Sequence, residues 1–258
     1  MSLRRLIARL DIKGPNVVKG IRFEGLRVVG KPADMARRYA ESGADELLYI
    51  DTVATLYGRN QLEALIEETC EDVFVPITVG GGVTDLEQFR SLLRVGADKI
   101  SVNTAAIKTP KIISSCADIC GKQAVVVSIE AKRTPHGWEA YTDNGREKTG
   151  KDAIKWAREA VALGAGEILL TSIDQEGTRN GCDLALVQSL RDLPVPLTYC
   201  GGIGSIGDAA AALGAGATAV ACASALHYGA FTIGEMKHEL DQVEFPHLWR
   251  SEKRRACA

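Results

Sequence analysis

Residues 43–51, GADELLYID, and residues 164–172, GAGEILLTS, are two versions of one phrase. Each opens on Gly-Ala and passes through a glutamate, Glu46 or Glu167, into a short apolar run. That is the pattern of a loop feeding a buried strand. Two more phrases recur. Val75-Pro-Ile-Thr78 with Gly81-Gly82 returns as Val195-Pro-Leu-Thr198 with Gly201-Gly202, and Gly96-Ala-Asp98 returns as Gly216-Ala-Thr218. The offsets, 43 to 164, 75 to 195 and 96 to 216, are all 120 or 121 residues. Three matches at one spacing imply a duplicated half.

Around these phrases, short β-branched runs alternate with helical periods. The candidate strands are Leu6–Asp11, Glu46–Asp51, Ile77–Val79, Lys99–Val102, Ala124–Glu130, Glu167–Thr171, Leu197–Cys200 and Ala219–Cys222. The candidate helices are 32–42, 60–71, 85–94, 110–120, 151–163, 184–191, 206–213 and 233–242. Eight βα units in 258 residues suit a single (β/α)8 barrel. It is expected to be built from two (β/α)4 half-barrel repeats, residues about 1–122 and 123–258, since neither half closes alone. An open doubly wound sheet is the weaker alternative.

Composition narrows the function class. The chain is 46% hydrophobic and 25% charged, with a formal net charge of −2. This gives no reason to expect nucleic-acid binding. The basic stretch Arg250–Arg255 reads as a solvated terminus. No apolar run of about 20 residues is present, so no membrane span is expected. The seven cysteines form no C-x-x-C pair, which fits a reduced, cytoplasmic chain without disulfides. The four histidines are scattered without metal-ligand spacing, and neither metal nor cofactor is expected.

In such a barrel chemistry sits where strands end. Strand three ends in Gly80-Gly81-Gly82 and strand four in Asn103-Thr104; their repeat mates are Gly201-Gly202 and Ala223-Ser224. Glycines let a ligand approach the backbone, and a following helix start favours an anion. Either Gly-Gly alone could be a tight turn. Two at one offset suggest two phosphate cradles across one mouth, hence an elongated bisphosphate substrate. Strands one and five end in Asp11 and Glu130, also repeat mates, which could divide general acid and base duties. Loop-capping carboxylates are the bland alternative. Asp51 and Asp174 end strands two and six, as supports or caps. Lys19 is placed on the loop after strand one, as a site lysine or an ordinary solvated one.

These residues resemble a known family, the cyclase subunit of imidazole glycerol phosphate synthase (HisF-type). The resemblance rests on Leu10-Asp-Ile-Lys13, Val17-Val-Lys-Gly20, Gly43-Ala-Asp-Glu-Leu47, Thr78-Val-Gly-Gly-Gly82, Gly96-Ala-Asp-Lys99, Asn103-Thr-Ala-Ala106 and the 164–172 phrase, and covers about residues 4–242. It implies a glutaminase partner in a heterodimer, ammonia passing through the barrel, and a bisphosphate ribulosyl aminoimidazole-carboxamide intermediate as acceptor. The products would be imidazole glycerol phosphate and aminoimidazole carboxamide ribotide, a lyase step of histidine biosynthesis. By resemblance Asp11 and Glu130 are catalytic. Lys19, Gly82, Asn103, Thr104, Asn144, Thr171, Glu176, Gly177, Gly202, Ala223 and Ser224 would bind substrate. Arg5, Glu46, Lys99 and Glu167, each at the start of a strand, would form an ammonia gate at the far end, with Asp98 as a docking residue; a structural salt-bridge plug is the alternative.

Four positions depart from the family pattern. Glu130 and Glu176 stand where it carries aspartates, Asn144 where a serine is common, and Arg9 where a cysteine is common. Two carboxylates are therefore kept but lengthened. Such departures resemble second copies of this subunit that serve surface-polysaccharide pathways, where the ammonia would convert an acetamido group of a sugar into an amidine. A non-catalytic barrel that docks and activates a glutaminase is the third alternative.

Overall fold

The computed structural model describes residues 4–53 and 62–245. The basic stretch at 250–255, Cys257 and the first residues of the expected 60–71 helix lie outside them. Eight parallel strands form the barrel: β1 (Arg5–Lys13), β4 (Glu46–Asp51), β5 (Ile77–Gly80), β6 (Lys99–Val102), β7 (Val125–Thr134), β10 (Glu167–Ser172), β11 (Leu197–Cys200) and β12 (Ala219–Cys222). They pair in that order, and β12 pairs with β1. The two halves join at the β6–β7 ladder, Ile100 opposite Val125 through Val102 opposite Val127, and again where β12 pairs with β1. The sheet is closed, so the open-sheet alternative falls.

Helices pack outside this wall: α1 (Pro32–Glu41), α2 (Leu62–Asp72), α3 (Leu86–Arg94), α4 (Thr104–Lys108), α5 (Lys111–Cys120), α6 (Ala153–Ala162), α7 (Leu184–Gln188), α8 (Ile206–Ala215), α9 (Ser224–His227) and α10 (Ile233–Leu240). Their starts follow local chemistry. Asp85, Asp152 and Asp183 accept backbone N–H bonds at the heads of α3, α6 and α7, while Ser205 with Asp208 and Thr232 with Glu235 form capping boxes on α8 and α10. The expected 184–191 helix is shorter, ending at Gln188, and short α4 and α9 appear directly after β6 and β12.

Two hairpins were not expected. β2 (Asn16–Ile21) and β3 (Glu24–Gly30) follow β1; β8 (Gly137–Thr142) and β9 (Glu147–Asp152) follow β7. They stand at equivalent places of the two halves. Lys19 therefore lies on β2, a strand, and not on a loop. The hairpin turn reaches over the mouth, where the Arg22 N–H donates to the Glu176 carbonyl at 2.8 Å.

The main core lies between the wall and the helices, with Tyr49, Leu92, Ile113, Trp156 and Tyr199 fully enclosed. A second apolar layer fills the barrel interior: Ile7, Leu48, Val126, Leu169, Cys200, Ala219 and Ala221. Leu92, on α3, is wholly buried. Leu92→Ala should lower the unfolding free energy by about 2–5 kcal/mol, read from urea denaturation.

Candidate active site at the strand ends

The two glycine turns at the mouth share a geometry. Gly81 and Gly82 have φ of 103° and 73°, and Gly201 and Gly202 have 114° and 82°. A side chain at Gly202 would collide with the Gly181 carbonyl at 1.9 Å, so only glycine fits there. Asn103 and Ala223, before α4 and α9, have matching backbones, with φ of −125° and −127°. Neither helix start has a side-chain cap, which leaves its first N–H groups open to an anionic ligand. β5 and β11 lie four staves apart in the eight-strand order, so these turns face each other across the mouth.

A cavity of about 580 Å³ opens on the first side. Gly82, Asn103, Thr104, Glu130 and Asn144 line it, together with Ser101 and Asp51. A smaller cleft on the second side is lined by Lys19, Glu176, Gly177, Gly202, Ala223 and Ser224. Gly177 is needed on steric grounds as well, because its Cα approaches the Gly20 carbonyl too closely for a side chain. Thr171 lines neither cavity. It is buried beneath the mouth, 3.3 Å from an Arg9 Nη1.

The two candidate catalytic carboxylates, on strands four staves apart, have opposite environments. Asp11 accepts from Arg9 Nε at 2.7 Å and from Lys19 Nζ at 2.6 Å. Burial pushes its carboxyl up, but the two cations outweigh it and hold the group well below the usual carboxylate range. Lys19 is also ion-paired with Glu176. Among the described residues no cation lies within salt-bridge distance of Glu130, whose Oε2 accepts from the Gly145 N–H at 2.7 Å. Burial pushes it up to about 7 against that hydrogen bond. Asp51 accepts from the Val53 N–H at 2.9 Å and Asp174 from the Arg133 N–H at 2.8 Å, both bonds to backbone at the strand ends. Among the described residues no cluster of His, Cys, Asp and Glu could hold a metal ion, and the six described cysteines are free thiols.

At the opposite end, the four strand-start charges converge. Arg5 bonds Glu46 at 2.7 Å and Glu167 at 2.8 Å; Lys99 bonds the same two carboxylates at 2.7 Å and 2.9 Å. Thr78 donates to Glu46, and Thr198 donates to Glu167 at 2.5 Å. Beside this ring, exposed Asp98 accepts from the Ile77 N–H at 2.8 Å. Sequence reasoning missed what Arg9 does; its identity as an unexpected cation on an inward-facing strand was the available signal.

The histidine biosynthesis protein family model matches residues 5–232. The chain belongs to this family. Within it, the chain is 58% identical to an imidazole glycerol phosphate synthase subunit HisF of Legionella pneumophila over 208 residues, 80% of this chain and 98% of that one. It is 48% identical to the subunit HisF of Myxococcus xanthus (strain DK1622) over 239 residues, 92% and 94% of the two chains.

The Glu130 environment makes a pH prediction. A carboxyl whose folded value is raised stabilises the fold only while it is protonated, so its contribution is full below about 4.5 and lost as pH rises through about 7. Glu130→Gln should therefore gain stability relative to the parent across that window, by roughly 3 kcal/mol at most, and stay level above it. Urea midpoints measured at a series of pH values check this.

Proposed function

We propose that this chain is the cyclase subunit of an imidazole glycerol phosphate synthase, a lyase step of histidine biosynthesis. It would take ammonia from a glutaminase docked as a heterodimer partner on the far face, in the cytoplasm. The acceptor would be the bisphosphate ribulosyl aminoimidazole-carboxamide intermediate, with imidazole glycerol phosphate and aminoimidazole carboxamide ribotide as products. The observation that carries this reading is the pair of matched glycine turns and uncapped helix starts facing each other across one mouth. Gly82, Asn103 and Thr104 would hold one phosphate, and Gly202, Ala223 and Ser224 the other. Asn144, Thr171, Glu176 and Gly177 would frame the middle of the substrate, directly or through their neighbours. Asp11, Lys19 and Glu130 lie between the cradles.

The ring of Arg5, Glu46, Lys99 and Glu167 is the entry point for ammonia in this scheme, with Asp98 as a docking contact. A buried ring whose charges pair internally holds its own shape, and a small neutral molecule can pass where one pair parts. A second reading, delivery of ammonia to an acetamido sugar, is favoured by the departures from the family pattern at Arg9, Glu130, Asn144 and Glu176.

Complementation separates the two. The gene should restore growth without histidine to a bacterial strain lacking its own cyclase subunit; failure with normal expression points to the sugar acceptor. With a glutaminase present, Lys99→Ala or Glu167→Ala should lower product formed per glutamine hydrolysed by about tenfold, while turnover with free ammonium falls far less. Equal loss with both nitrogen sources assigns the ring to stability alone.

A further inference from the structure

Arg9 has no part in the cyclase reading, yet it lies beneath the mouth against Asp11, Thr171 and Cys200. It rises from β1 inside the barrel and is 3% exposed. Burying a guanidinium is costly unless its charge and donors are met. Its Nε donates to Asp11 Oδ1 at 2.7 Å. Its Nη1 crosses the interior to Thr171 Oγ1 at 3.3 Å and Cys200 Sγ at 3.4 Å, on β10 and β11. The Phe23 ring, from the β2–β3 turn, lies 5.7 Å from its guanidinium carbon.

Lys19, from β2, takes the second Asp11 oxygen and is itself paired with Glu176. Arg9, Lys19, Asp11 and Glu176 thus form a closed cluster of two cations and two anions. Asp11 has both oxygens engaged, is 2% exposed, and lines neither the large cavity nor the smaller cleft. The other titratable groups facing it are Cys200, whose thiol burial pushes up to about 11, and His227, which burial lowers to about 4. Both are neutral near pH 7; Glu176 shares Lys19 with Asp11, while Arg9 gives Asp11 an ion pair of its own.

Glu130 is the contrast. It lines the large cavity and holds one backbone hydrogen bond. Asn103 and Asp143 face it from the ends of β6 and β8, and Arg9 acts on it only at longer range.

We propose that Arg9 is a positioning residue: with Lys19 it fixes Asp11 as a permanent anion, and this leaves proton transfer at the mouth to Glu130. The place of that proton transfer rests on the cyclase reading; the state of the two carboxyls does not.

The test is carboxyl-carbon NMR of the full chain, labelled in its Asp and Glu side chains and assigned with D11N and E130Q. The Asp11 signal should stay fixed from pH 5 to 9 while Glu130 titrates near neutrality. In R9C the Asp11 midpoint should rise by about one unit or more, and R9K should reverse most of that rise. With saturating ammonium and the bisphosphate substrate, R9C should lower kcat about tenfold while KM stays within about twofold, because Arg9 does not line the cavity. Its pH–rate profile should gain an ionisation that the parent lacks. Titration of Asp11 between pH 5 and 9 in the parent overturns the proposal, as does an R9C chain whose Asp11 midpoint and pH profile are unmoved. If R9C does not fold, the parent titration decides. A parent that titrates as expected but turns over no bisphosphate substrate sinks the cyclase reading and leaves the Arg9 assignment standing.

Discussion

Closing a parallel sheet into a barrel drives every second residue of eight strands into one narrow interior. Whatever stands there must either pack without polar atoms or satisfy every charge locally. This chain does both, in layers. Arg5, Glu46, Lys99 and Glu167 neutralise one another at one end, Ile7, Leu48, Val126 and Leu169 fill the middle, and Arg9 with its partners fills the layer beneath the mouth. β1 shows the sequence of layers within a single strand: Arg5, Ile7, Arg9 and Asp11 point inward in turn. Within the second half the β7–β10 ladder keeps these layers in register, setting Glu167 opposite Val126 at one end and Thr171 opposite Glu130 nearer the mouth.

The duplicated phrases made the barrel legible before any coordinates. Period-two and period-3.6 patterns located all eight staves, because each is a buried run flanked by glycine. The hairpins escaped for two different reasons. β3 and β9 are mostly exposed, and neither alternates buried apolar with exposed polar residues. The β2–β3 turn uses Arg22 and Phe23 at φ of 52° and 64°, residues that give no turn signal. The second turn, Asp143-Asn144-Gly145, does carry such a signal and was readable.

The site was legible in part. Glycines and small polar residues at matched offsets pointed to the mouth, and the four paired charges at the far end were visible as glutamates and cations at strand starts. What could not be read was pairing. Nothing in the spacing of Asp11, Lys19 and Glu176 says that one lysine serves two carboxylates, since that contact depends on the unexpected hairpin carrying Lys19 over the barrel. Thr171, a substrate residue by family resemblance, has its hydroxyl 3.3 Å from Arg9 Nη1, and that guanidinium's reach across the interior has no sequence signature.

The charge count of that cluster explains why Arg9 and two glutamates belong together. Without a cation at position 9, Lys19 would face Asp11 and Glu176 alone, leaving one net negative charge in a buried space. Two carboxylates sharing a single cation in low dielectric favour keeping a proton on one of them. Arg9 supplies Asp11 with a second cation, and together with Lys19 it holds that carboxyl well below the usual carboxylate range. The added bulk must be accommodated too, and the longer arm of Glu176 lets its carboxylate meet Lys19 while Arg9 occupies the axis. Glu130, on the other side of the mouth, shares no cation and keeps its raised value. Neutralising one side of the barrel mouth thus concentrates its proton chemistry on the other.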